Sequence, residues 1–105
     1  MLQSTKDLLR DEFDAQASWR REKASEHPSD SRNNDAADLL DRLAATVDGI
    51  ATPVLQAYAE LFDDLPDSEQ HREMMRRVGF SYWPKDASEF VTDFIKDRTG
   101  GGLVI

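Results

Sequence analysis

Apolar residues in this chain recur with the spacing of helices, not the alternation of strands, and five segments carry that signal. The first covers about residues 5–25. Leu9, Phe13 and Ala17 repeat every four positions, and Leu8, Ala15 and Trp19 flank them to give one broad apolar stripe. Ser4 is the expected N-cap, and Asp7 places negative charge in the first turn. Arg20, Arg21 and Lys23 complement the dipole at the far end, and Pro28 stops the helix.

A polar connector over 27–34 leads to the clearest amphipathic segment, residues 35–48. Ala36, Leu40, Leu43, Ala44 and Val47 share one face, and Gly49 stands where a helix C-terminal glycine belongs. Thr52-Pro53 opens the third helix, 53–63, with Val54, Leu55, Tyr58, Leu61 and Phe62 inward. Leu65-Pro66 ends it. Asp67 and Gln70 then fit a capping pair for a fourth helix, 68–78, closed by Gly79, with Phe80 expected to pack back on Met75.

The aromatic run Phe80-Ser81-Tyr82-Trp83-Pro84 connects to a fifth helix, 87–98. Asp86 and Glu89 have capping-box spacing there, and Phe90, Val91, Phe94 and Ile95 form the stripe. Gly100-Gly101-Gly102 breaks regular structure before Leu103-Val104-Ile105. The expected architecture is therefore an all-α bundle of about five helices, a single domain over 1–99, with a flexible Gly-rich tail over 100–105.

Charge adds an asymmetry. Thirteen Lys and Arg stand against 21 Asp and Glu, a formal net charge of −8. No Lys or Arg occurs between Arg42 and Arg72, while that stretch holds Asp48, Glu60, Asp63, Asp64, Asp67 and Glu69. Such a balance repels nucleic acid and anionic lipid and suits a basic protein surface. Helices three and four could be read as a DNA-binding pair, but the first turn of the would-be recognition helix is acidic. Arg72, Arg76 and Arg77 are better explained as partners of the abundant carboxylates.

Candidate chemistry is thin. The chain has no cysteine, which excludes disulfides, thiolate metal sites and thiol catalysis. Neither His27 nor His71 has a Glu three residues before it, as paired carboxylate–histidine metal sites require. Asp30 to Asp35 resembles the start of a calcium loop in composition only, with Arg32 at the third position, Asp35 at the glycine position and Asp41 where a bidentate Glu is expected. Ser68 and His71 share a helix face without an oxyanion-hole loop, and the only glycine cluster precedes no helix. No catalytic, cofactor or metal residues are assigned.

The start of the chain lacks the basic and apolar character of a signal peptide, and no apolar run reaches the roughly 20 residues of a membrane span. A cytoplasmic location without membrane contact is expected. What remains is contact surface. Trp19 and Arg20, Asp63 and Asp64, and Tyr82 and Trp83 are the candidate partner-binding residues, the tryptophans doubling as core anchors. The expected function is a non-enzymatic acidic interaction domain, an adaptor or an inhibitor or antitoxin-like partner of a basic protein, acting as a homodimer. The alternative is a small-ligand protein or enzyme with an aromatic pocket among Trp19, Tyr58, Tyr82 and Trp83.

Overall fold

A computed structural model describes the backbone of residues 2–64 and 69–98, with side chains over 3–60 and 72–96. Its elements are α1 (Leu2–Glu26), α2 (Arg32–Ala45), a 3-10 turn (Val47–Gly49), α3 (Thr52–Asp64), α4 (Glu69–Arg77) and α5 (Ala87–Arg98). The fold is all-α, and its helices follow the segments read from the periodicity. Asp67 and Ser68, residues 99–105 and the side chains of Asp63, Asp64, Gln70 and His71 lie outside the described residues. So do the expectations placed on them.

The α1 stripe is narrower than the sequence suggests. Leu9, Phe13 and Ala17 are buried, but Leu8, Ala15 and Trp19 face solvent. The buried line continues instead through Arg20 and Ala24. Spacing explains this, because Arg20 follows Phe13 by seven residues and precedes Ala24 by four. Ser4 lies inside α1 and is no cap, since the helix begins at Leu2.

Helices α1 and α2 pack as an antiparallel pair, pinned by charge at two places. Arg21 bonds Asp41 and lies 3.4 Å from Asp38, both along the middle of α2. Beyond its end, Asp48 meets Arg10 at 3.2 Å and Lys6 at 3.7 Å. Part of the Lys/Arg-free stretch thus draws its counter-charge from α1.

The start of α2 is set by Asp30, whose carboxylate accepts the Arg32 backbone N–H at 3.0 Å and the guanidinium at 2.7 Å. These contacts hold the Asp30 carboxyl down at about 2. At the other end Gly49 does not take the left-handed conformation expected of a helix-closing glycine; it belongs to the 3-10 turn. Thr46 closes α2, donating its hydroxyl proton toward the Arg42 carbonyl at 2.9 Å. The same oxygen accepts the Ala87 N–H at 3.0 Å, tying the end of α2 to the start of α5.

Helix α3 opens when Ala51 accepts the Leu55 N–H at 2.9 Å, so Thr52 is its first helical residue and not the cap. The core is shared by all five helices, with Leu40 and Leu43 of α2 and Met74 and Met75 of α4 joining Leu9 and Phe13, Leu55 and Tyr58, and Phe90 and Phe94. Phe13 and Phe90 pack edge to face with centroids 5.1 Å apart, and Tyr58 and Phe94 do so at 5.7 Å. Burial raises the Tyr58 hydroxyl pKa, with the nearby Glu12 charge adding to it. Glu12 is itself pushed up to about 7 by desolvation.

At the end of α4, Gly79 adopts φ +85°, as its closing role requires. A Cβ there would stand 2.6 Å from both Cα and Cβ of Ala36, so α2 leaves room for no other residue. Asp86 accepts the Glu89 N–H at 2.9 Å, and Glu89 reaches back to the Lys85 N–H at 3.2 Å. The capping box therefore forms, shifted by one residue at its return bond.

Candidate functional site: the aromatic connector and its two neighbours

The stretch between α4 and α5 carries most of the unusual side chains. Its first part is a tight turn: the Arg77 carbonyl accepts from the Phe80, Ser81 and Tyr82 amides, and the Gly79 N–H donates to Tyr82 O at 2.8 Å. The connector then runs along α2, from Gly79 against Ala36 near its start to Ala87 beside Thr46 at its end.

Phe80 faces α1. The Arg20 guanidinium lies 4.4 Å from the Phe80 ring centroid and 4.6 Å from that of Trp19. Its Nη2 donates to the Arg76 carbonyl at the negative end of α4. Only 9% of Arg20 is exposed, and desolvation lowers its pKa. Two ring faces and a helix-end carbonyl offset part of the cost of burying this charge. Arg20 therefore ties α1 to α4 and is not available to a partner, contrary to its reading as a surface hot spot. Phe80, expected on Met75, is one half of that clamp.

Tyr82 points the other way. Its ring packs near Phe90 at 6.1 Å, and its hydroxyl donates to Asp93 Oδ2 at 2.7 Å. Burial, with this bond and the Asp93 charge, raises the hydroxyl pKa, so Tyr82 remains a proton donor. Pro84 is fully buried. Between these anchored neighbours Trp83 is 65% exposed. Trp19 is 41% exposed, with Lys23 Nζ 5.5 Å from its ring. Neither tryptophan is the core anchor that the sequence suggested.

The chain matches no family model, no curated protein and no solved structure. Trp19, Tyr58, Tyr82 and Trp83 do not form the aromatic pocket considered above: Tyr58 is locked in the core, and both tryptophans face water. Asp63 and Asp64 fall in the last turn of α3, outside the described side chains. Among the described residues no group of three or more His, Asp or Glu could hold a metal ion. No described helix is long and apolar enough to cross a membrane. On α4, Glu73 accepts from Arg76 at 2.7 Å and meets Arg77 at 3.5 Å, which holds its carboxyl low. These arginines have the carboxylate partner expected of them.

Sequence reasoning missed Arg20 as a structural cation and Thr46 as a double cap. The first was available from its place on the Phe13–Ala24 line. The second was not, because it depends on α5 returning to the end of α2.

Proposed function

We propose that the protein is a non-enzymatic interaction domain whose contact surface centres on Trp83. The observation that carries this reading is the exposure of that ring between two fixed neighbours. A tryptophan offers a large apolar face, and exposing two thirds of it to water is unfavourable unless a partner covers it. Tyr82 and Pro84 hold the backbone on either side, so little ordering is needed on binding. Such rigid aromatic anchors dominate many protein interfaces.

The net charge of −8 favours a basic partner and faster association with one at low salt. Trp19 and Leu8, which is 51% exposed, supply further apolar area on α1. A homodimer through α1 is one form such contact can take. A cytoplasmic location is part of the same proposal.

Affinity capture from the source organism with the wild-type chain and Trp83→Ala, each at low and high salt, tests the reading. A protein retained by the wild type, lost with Trp83→Ala and weakened by salt is expected. Equal recovery by both chains would remove Trp83 from the interface, and an empty capture at low salt would count against the function as a whole.

A further inference from the structure

An open cleft of about 590 Å³ lies between the end of α4, the Gly79 turn and α5, lined by Met74, Arg77, Ser81, Tyr82 and Asp93. Its volume falls in the range of small-molecule sites, roughly 300–1,000 Å³. All three walls are fixed. The turn is held by the triple bonding of the Arg77 carbonyl, Tyr82 by Phe90 and Asp93, and α5 by its capping box.

The polar groups divide by sign. Glu73 takes Arg76 on Oε2 at 2.7 Å and a single Arg77 nitrogen, Nη2, on Oε1 at 3.5 Å. The Arg77 guanidinium, with five donors, therefore keeps several for the cleft. Ser81 adds a hydroxyl from the turn that follows α4. The Asp93 carboxylate lines the cleft from α5, where Oδ2 accepts from Tyr82 and the second oxygen retains acceptor capacity. Met74 contributes an apolar thioether, adaptable in shape.

We propose that this cleft binds a small zwitterion, a free amino acid or a short peptide. Its carboxylate meets Arg77 and Ser81, its ammonium meets Asp93, and an apolar side chain lies against Met74. Donors on one wall and an acceptor on the other suit a ligand with both charges and disfavour one with a single charge, because that ligand leaves one wall unpaired. The Tyr82–Asp93 bond acts as a positioning element, aiming the carboxylate. This site is separate from the exposed face of Trp83, so either proposal stands without the other.

The test is an amide NMR titration of the full chain with four probes: L-leucine, leucyl-leucine, 3-methylbutylamine and 4-methylpentanoate. Saturable shifts over residues 77–82 and around Asp93 are expected with a zwitterion. The amine and the acid, each lacking one charge, are expected to bind about tenfold more weakly or less. Leucine binding tighter than its dipeptide assigns a free amino acid; the reverse order assigns a peptide. Arg77→Gln should abolish the preference for leucine over the amine, and Asp93→Asn its preference over the acid. Absence of saturable shifts with both zwitterions, or an amine or acid that binds equally well, overturns the proposal in the wild-type protein alone.

Discussion

Around Trp19 the aromatic rings close on a buried cation; around Trp83 a half-buried Tyr82 and a buried Pro84 are anchored inward and the ring itself meets water. Both regions looked alike in the sequence, each a tryptophan in a short run of hot-spot residue types. The difference lies in which way the chain turns beside them. On α1, the helical period carries Arg20 onto the Phe13–Ala24 line, and Trp19 stacks on the guanidinium from outside. In the connector, Tyr82 and Pro84 take the inward positions and leave Trp83 outward. The first arrangement holds helices together. The second presents a surface.

The sharpest way to break this comparison is at the turn that both regions share. Gly79→Ala forces a β-carbon against Ala36 in a left-handed conformation and should cost about 3 kcal/mol, from combined backbone strain and overpacking. Urea denaturation measures it. A cost below about 1 kcal/mol would mean that the turn is not held against α2 as described.

Arg20→Ala comes next, with an expected loss of about 2 kcal/mol from a charged hydrogen bond and two ring contacts. A surface hot spot would instead leave stability within about 0.5 kcal/mol of the wild type. The same denaturation experiment separates the two roles.

A smaller effect concerns Glu12, on the half-buried flank of α1 near Tyr58. Desolvation pushes its carboxyl up to about 7 in the folded chain, from an ordinary value of 4.5. The folded state therefore binds the proton more tightly than the unfolded state, and this group's contribution falls as pH rises between these values. Discounted for partial exposure, the loss is about 1–2 kcal/mol between pH 5 and 7.5. Glu12→Gln should remove that slope, and unchanged pH dependence in the variant would show that Glu12 titrates normally.

Most of the helical framework was legible because its signals are local. The Ala36–Val47 face, Gly79 and the Asp86–Glu89 box each depend on residues within a few positions of one another. The roles of Arg20, Asp48 and Thr46 depend on distant partners: Phe80 and Arg76, Lys6 and Arg10, and Ala87. For Arg20, the period itself carried the signal, but a reading that ranks positions by hydrophobicity passes over a charge on the core face. The candidate surface was half legible. Composition marked Trp19, Arg20, Tyr82 and Trp83, and only packing could sort the inward from the outward members.

The smallest expected stability effect bears on the central claim. Trp83→Ala should leave folding within about 0.5 kcal/mol of the wild type while removing partner binding. The direct measurement pairs denaturation with quantitative capture for Trp83→Ala beside the wild type. Preserved stability with lost capture is the predicted result. A large loss of stability, or undiminished capture, would contradict the view that this ring is held outward for a partner.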